Sequence, residues 1–149
     1  MRKIELLFLI VLVSVNSAYA QPTVSFTFDD GVTTDMPGYP FEQWNKMLLD
    51  NLDSANLKTV FFVKGSDKLN NKGQLLLKSW NDKGHKLANH TFSHPNYNNG
   101  AITFERFKDE FLTTDTIINK FSNHIQLFRF PYLKEGNTKE KVALFRALL

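Results

Sequence analysis

The sequence predicts an α/β fold built from four successive strand–helix units. Three features indicate it: short β-rich or apolar segments recur along the chain, amphipathic segments with three- and four-residue spacing separate them, and glycine or proline lies at several junctions. Such alternation is typical of parallel strands joined by right-handed crossovers. A doubly wound open sheet and a (β/α) barrel both remain possible, and in both the functional side chains lie at the carboxyl ends of the strands.

The start of the chain has the pattern of a secretory signal peptide. It is basic at first, residues 6–15 are apolar, and Ala-Tyr-Ala at 18–20 is a small-x-small cleavage site. The apolar run is short for a membrane span, although an uncleaved membrane anchor is the alternative. We therefore predict a signal peptide over residues 1–20 and one domain over residues 21–149. The protein would be exported to the periplasm or outside the cell, without stable membrane insertion after cleavage.

The composition limits the classes of partner and the types of metal ligand that we expect for this protein. The 149 residues carry a formal net charge of +3, so there is no strong basic field and we expect no nucleic-acid partner. Cysteine is absent from the sequence. An exported protein of this kind does not rely on disulfides, and any metal must be held by oxygen and nitrogen ligands.

The first strand is predicted over residues 24–28, where apolar and small polar residues alternate. A loop marked by Pro and Gly runs through residues 32–40. A helix follows over residues 41–56, because its apolar residues recur every three or four positions. Residues 58–63 then form a dense apolar run that suits a strand buried on both faces.

The second half of the chain continues the alternation. Its predicted elements are a helix ending near residue 84, a strand over 86–89, a helix over 103–123, a strand over 126–130 and a helix from 138 to 149. Thr103 is the N-cap candidate of the third helix, since its hydroxyl can accept a hydrogen bond from the first turn.

Two adjacent carboxylates come at the end of the first predicted strand. Asp29 and Asp30 are followed at once by Gly31. Neighbouring residues on a regular strand point to opposite faces, so both carboxylates can serve one site only where the strand breaks into a turn, and glycine permits one. The pattern indicates one carboxylate for a metal and one for proton transfer. A solvated Asp-Asp-Gly turn is the alternative.

Two histidines four residues apart follow the third predicted strand. Pro95 disfavours helical geometry at His94, so His90 and His94 are predicted at a strand end that leads into a turn. With one carboxylate from the first strand, they make a set that suits catalytic zinc, or iron(II) in an oxygenase. Two loop histidines hydrogen-bonded to the backbone are the alternative.

Arg129 and Tyr132 lie at and just beyond the end of the fourth predicted strand. Arg129 stands between two phenylalanines, where a guanidinium is expected to face a fixed carboxylate partner. Ordinary ion pairing by Arg129 and a core position for the Tyr132 phenol are the alternatives. His85 and His124 belong to the opposite end of the sheet and are interpreted as structural or solvated.

Three segments together resemble the first three motifs of the polysaccharide deacetylases, the NodB-homology domains of carbohydrate esterase family four. They are Thr-Phe-Asp-Asp-Gly at 27–31, His-Thr-Phe-Ser-His at 90–94 and Arg-Phe-Pro-Tyr at 129–132. The motifs occur in the family's order, and the resemblance extends from residue 24 to the end. It implies an irregular (β/α) barrel of seven or eight strands, of which about the first four units are present.

The resemblance also implies roles for the site residues. Asp30, His90 and His94 would bind one divalent metal, most often zinc, with cobalt, manganese, nickel and iron as alternatives. Asp29 would be the general base, and Arg129 would hold and orient it.

The same resemblance implies the substrate contacts and the reaction. Tyr132, with Pro131 before it, would help to bind the acetyl group, and the Tyr132 N–H would stabilise the oxyanion. The implied activity is metal-dependent removal of N- or O-linked acetyl groups from a polysaccharide or oligosaccharide. Chitin, peptidoglycan and xylan are the candidate polymers.

The family's fourth and fifth motifs, an Asp-Trp segment and a Leu-x-His segment that carries the general acid, have no counterpart in this sequence. We therefore expect the chain to be the N-terminal part of a longer protein. A carbohydrate-binding protein without catalysis and an inactive fragment are the alternatives to a deacetylase.

Overall fold

A computed structural model describes residues 23–149, and the predicted signal peptide lies outside the described residues. Four strands alternate with four α-helices in chain order: β1 (Thr27–Asp30), α1 (Phe41–Ser54), β2 (Val60–Val63), α2 (Asn71–Asp82), β3 (Lys86–Asn89), α3 (Phe104–Ile118), β4 (His124–Phe128) and α4 (Lys139–Arg146). Two short 3₁₀ turns, Ser66–Lys68 and Pro131–Leu133, follow β2 and β4. The prediction of an α/β fold is confirmed.

The four strands form one parallel sheet in the order β1-β2-β3-β4. A doubly wound sheet reverses its strand order at a switch point, whereas a barrel adds each strand beside the previous one. The sequential order therefore matches part of a (β/α) barrel. It also places the carboxyl ends of all four strands along one rim.

A core of apolar side chains joins the sheet to the helices. Phe61 and Leu87 point from β2 and β3 into a cluster that includes Leu77 and Trp80 of α2, all nearly or fully buried. Phe28 of β1 packs edge-on against the Trp80 indole, with 5.1 Å between ring centroids. Because strand side chains alternate, the residues on either side of Phe28 and Phe61 face away from these helices.

The predicted strand limits are wrong at both edges of the sheet. β1 begins at Thr27 and includes both aspartates, since Asp29 and Asp30 pair with Phe62 and Val63 of β2. β4 ends at Phe128, so Arg129 follows the strand. Alternation of side chains shows which residues suit a strand, but the register with the neighbouring strand decides which residues pair.

Three helices are shorter than predicted, and α1 ends two residues early, at Ser54. Thr103 caps α3 as expected, and its hydroxyl accepts a hydrogen bond from the Arg106 N–H at 3.2 Å, but the helix ends at Ile118. Thr138 precedes α4 as its N-cap, and α4 ends at Arg146 and does not continue to the last residue. Apolar spacing persists beyond the hydrogen-bonded turns in these segments, so it overestimates their length. Within the part of the chain that the structure covers, no helix has the length and apolar character that crossing a membrane requires.

Candidate metal and catalytic site

A tight turn at the end of β1 brings its two carboxylates to one place. Asp30 has a positive φ of 63°, and the Gly31 N–H donates a hydrogen bond to the Asp29 carbonyl at 2.8 Å. These features are those of the rare γ-turn whose central residue has positive φ, a strained conformation for a residue with a side chain. The turn reverses the usual alternation, and both aspartates lie within 3.9 Å of the His90 Nε2 atom.

Gly31 fits this turn because it has no side chain. Its φ is +76°, and an added Cβ would lie 2.1 Å from Cζ of Phe61 and 2.9 Å from Cδ2 of Leu76. We expect Gly31→Ala to lower the free energy of unfolding by about 3 kcal/mol, since strain at positive φ and overpacking add. Urea denaturation measures this loss.

Gly38 provides the matched control for Gly31. Its φ is +81°, but a Cβ there would have no atom within 4 Å. Gly38→Ala should therefore cost only the backbone term, about 1–2 kcal/mol. Equal losses in the two variants would contradict the steric explanation for Gly31.

The loop between the two histidines is held by side chains from β3 and α3. The Asn89 amide accepts from the Thr91 N–H at 2.9 Å and donates to the Phe111 carbonyl at 2.9 Å. The buried Glu110 carboxylate accepts from the N–H and the hydroxyl of Ser93, both at 2.5 Å. These contacts support a loop in which Thr91 and His94 have positive φ values of 67° and 61°.

Substitution of Glu110 tests how strongly the loop between the two histidines depends on the contacts of this carboxylate. Glu110→Gln replaces one acceptor oxygen by an NH₂ group facing the Ser93 donors, which should lower the free energy of unfolding by about 1–3 kcal/mol. Looser support of His94 should weaken Zn²⁺ binding by about tenfold or more. Titration calorimetry with Zn²⁺ measures the second effect. Glu105→Gln, on the exposed face of α3, is the control and should change neither quantity.

Asp30, His90 and His94 form a group that could hold a metal ion. The two Nε2 atoms lie 3.2 Å apart, and Asp30 Oδ1 lies 3.4 Å from Nε2 of His94 and 3.9 Å from Nε2 of His90. A tetrahedral metal about 2.0–2.1 Å from each ligand would separate the ligand atoms by about 3.3 Å. The observed spacing is close to that value.

Three further observations fit a metal. Asp30 Oδ1 is shielded from solvent and has no hydrogen-bond donor among the described residues, which is costly for an oxygen without another partner. His90 places its Nδ1 atom 2.7 Å from the Arg129 carbonyl. A carbonyl only accepts, so Nδ1 carries the proton and the Nε2 lone pair is free for a metal between His90, His94 and Asp30. Burial also lowers the His90 pKa, which favours the neutral ring that a metal needs.

Arg129 joins the end of β4 to β1 across 100 residues of sequence. Its Nη1 donates to Asp29 Oδ1 at 2.6 Å and to the Thr27 hydroxyl at 3.0 Å. The guanidinium lies over the Phe62 ring, 4.0 Å from its centroid. The guanidinium, held by these contacts, fixes Asp29 Oδ1 in one position. The second oxygen, Asp29 Oδ2, faces the histidines and lies 3.9 Å from the His90 Nε2 atom.

Tyr132 lies in the turn after β4, next to the histidines. Its ring packs edge-on against His94 with 4.6 Å between centroids, and its side chain is exposed. Its φ is +56°, and its N–H donates to no backbone carbonyl in the part of the chain that the structure describes. The preceding Pro131 is buried and begins the 3₁₀ turn that places this N–H.

The remaining histidines lie at the other end of the sheet, before or at the start of their strands. His85 accepts a hydrogen bond at Nδ1 from the Thr59 N–H, and His124 approaches Asp115 at 3.2 Å. Sequence reasoning missed Glu110 and Lys68, two buried charged residues that contact the site segments. No motif contains either of them, and only their contacts in the fold reveal a connection to the site.

The sequence agrees with a known family over nearly its whole length. The family model described as polysaccharide deacetylase matches residues 16–145. The chain belongs to the polysaccharide deacetylase family. The segments that carry the site geometry all fall inside the matched range.

Known proteins of this family give the extent of the similarity. A peptidoglycan-N-acetylglucosamine deacetylase of Bacillus cereus is 30% identical over 115 residues, which is 76% of this chain and 38% of that protein. A family 4 carbohydrate esterase from Streptomyces lividans, solved with acetate, superposes with a TM-score of 0.63 at 24% identity, covering 84% of this chain and 57% of its own. A CE4 family pseudoenzyme from Bacillus anthracis superposes with a TM-score of 0.64 at 17% identity, covering 83% and 40%. The chain thus spans between a third and three fifths of these relatives.

Proposed function

We propose that the protein is an exported metal-dependent hydrolase that removes acetyl groups from a polysaccharide. One observation carries the proposal: an unpartnered carboxylate oxygen and two imidazole nitrogens converge beside a second carboxylate that Arg129 holds. Ordinary ion pairs on a protein surface do not require two carboxylates and two imidazoles to lie together in this way. Acetyl hydrolysis needs an activated water, a base, a stabilised oxyanion and an acid that protonates the leaving group, and the site offers a group for the first three.

The proposed roles follow from position. Asp30, His90 and His94 would hold one divalent metal, zinc first and cobalt, manganese, nickel or iron as alternatives. When bound, such a metal supplies Lewis-acid polarisation of the acetyl carbonyl and acidifies water. Asp29 takes the proton from the attacking water through Oδ2, and Arg129 orients it through Oδ1.

The oxyanion and the acetyl methyl are assigned to the turn after β4. The Tyr132 N–H has no backbone acceptor among the described residues, and the Tyr132 ring packs against His94, so this N–H is proposed to donate to the oxygen that becomes negative in the tetrahedral intermediate. The Tyr132 ring and Pro131 would contact the methyl group.

The proposed substrate is a polysaccharide that contains N-acetylglucosamine, and peptidoglycan is the first candidate. Its support is the name of the Bacillus cereus relative, a peptidoglycan-N-acetylglucosamine deacetylase. Chitin and acetylated xylan are the comparison substrates. They distinguish a preference for the N-acetyl sugar from a general preference for acetyl groups.

Acetate release tests this proposal directly. Protein stripped with a chelator would be assayed on peptidoglycan, chitin oligomers and acetylated xylan, before and after addition of each of the five metals. We expect acetate only after metal addition, and most from peptidoglycan. Metal-independent release would contradict the proposed chemistry, since the ligand set would then have no part in it.

A second candidate function is polysaccharide binding without catalysis. The observation that favours it is the fold similarity to a CE4 family pseudoenzyme. Retention of the protein on a polysaccharide column, with no acetate released at any metal, would support this function over the first.

A further inference from the structure

Lys68 is a buried cation that the proposed chemistry does not use. It lies in the 3₁₀ turn Ser66–Lys68 after β2, and none of its surface is exposed. Its Nζ atom donates to the Gly31 carbonyl at 2.6 Å. In the part of the chain that the structure describes, no carboxylate lies within salt-bridge distance of this ammonium. A buried ammonium without a paired carboxylate is uncommon, because it loses its hydration.

The backbone of Lys68 is fixed from behind by the start of α2. A Cβ on Gly73 would lie 2.4 Å from the Lys68 Cα atom, so the helix packs directly on this turn. The Gln74 side chain donates to the Lys68 carbonyl at 2.5 Å. Because α2 holds the Lys68 main chain at two points, the Lys68 side chain connects α2 to the segment that its ammonium contacts.

That segment is the strained turn that carries the two aspartates. Positive φ at Asp30 persists only where the surroundings hold the chain in place. The Lys64 N–H donates to the Asp30 carbonyl at 3.3 Å, a long contact, and Phe61 blocks Gly31 on one side. The ammonium of Lys68 makes the short contact to the Gly31 carbonyl, one peptide unit beyond the metal-facing carboxylate.

The cost of burying the Lys68 charge indicates a role in positioning the site more than a role in stabilising the fold. Burial lowers the Lys68 pKa to about 8, with a smaller opposing effect of the Asp67 and Asp30 carboxylates. An apolar side chain of similar size would avoid that loss of hydration. The cation is therefore best explained by what it does to the turn.

We propose that Lys68 is a positioning residue for the metal site, whose buried ammonium fixes the Gly31 carbonyl and thereby the direction of the Asp30 carboxylate. This inference rests on the proposed metal site. It assigns to Lys68 no contact with the metal or the substrate.

The test compares Lys68→Met with Lys64→Met. Lys64 lies four residues away, and its ammonium pairs with Asp67 at 3.0 Å, so its loss removes the same charge without touching the Gly31 carbonyl. The measurements are thermal unfolding without metal, Zn²⁺ affinity by calorimetry and the visible spectrum of the Co²⁺ complex. For Lys68→Met we expect a near wild-type unfolding temperature, a Zn²⁺ affinity lower by about 10–100-fold and an altered Co²⁺ spectrum. Lys64→Met should resemble wild type in all three.

The outcomes distinguish a role of Lys68 in positioning the metal site from a purely structural role. Wild-type Zn²⁺ affinity in a folded Lys68→Met protein overturns the inference and leaves the metal site standing, whereas failure of the wild-type protein to bind Zn²⁺ removes the metal site itself. Lys68→Arg keeps a charged donor and should recover most of the affinity if Lys68→Met proves unfolded. An arginine variant that is folded but binds as weakly as the methionine variant also overturns the inference.

Discussion

Asp29→Asn should lower kcat/KM for acetate release by about 10²–10⁴-fold, because an amide cannot take the proton from the attacking water. The variant should keep its fold and its Zn²⁺ affinity, since Asp29 is outside the ligand set and an asparagine oxygen can still accept from Arg129. The measurement pairs acetate release on peptidoglycan with calorimetric Zn²⁺ binding. Loss of activity without loss of metal is the distinctive result.

Asp50→Asn is the control for this substitution. Asp50 lies on the surface of α1, where it pairs with Lys46 at 2.5 Å, and it belongs to none of the proposed metal-binding segments. Its variant should match wild type in both assays. Undiminished acetate release by Asp29→Asn would remove Asp29 from the mechanism, and a parallel loss of Zn²⁺ would make it a ligand.

His94→Ala should reduce Zn²⁺ affinity by more than about 100-fold, beyond the range typical of residues that only support a ligand. His94 is one of the three proposed protein ligands, and its Nε2 atom is the nearest ring nitrogen to Asp30 Oδ1. At a Zn²⁺ concentration 100 times its Kd, the wild-type protein should gain about 2.7 kcal/mol in free energy of unfolding. The variant should gain almost nothing at that concentration, and denaturant unfolding with and without Zn²⁺ measures the difference.

His124→Ala controls for the loss of an imidazole. It removes a histidine that pairs with Asp115 at the opposite end of the sheet. Its Zn²⁺-dependent gain in stability should equal that of wild type. If His94→Ala kept the full gain, the metal would have to be bound elsewhere.

The sequence was sufficient to predict the fold class and the grouping of the motif residues. Both depend on regular features: alternation of strands and helices fixes which end of each strand faces the site, so Asp30, His90 and Arg129 had to share one rim. The family assignment is confirmed by the match over residues 16–145. The roles of the individual residues stay predictions that the variants above test.

Other features depend on contacts that no local pattern contains. The register of β1 on β2 places both aspartates in the strand, and positive φ at Asp30, more than the glycine after it, turns the second carboxylate toward the histidines. Lys68 reaches Gly31 across 37 residues, and Glu110 reaches Ser93 across 17. In the sequence each of these charged residues looks like any solvated residue on a turn or a helix.

The wide separation of the contact partners along the chain has a consequence for the order of folding. The three side chains of the proposed metal site come from the end of β1 and from the segment after β3, so pairing of the first three strands brings them together. Both the proton position on His90 and the orientation of Asp29 depend on Arg129, which arrives only when β4 docks. Contacts between residues 100 apart form late because closing a long loop is slow. A nascent chain would therefore bring the three proposed ligands together before it fixes the His90 proton and orients Asp29, and the two events mark successive stages of maturation.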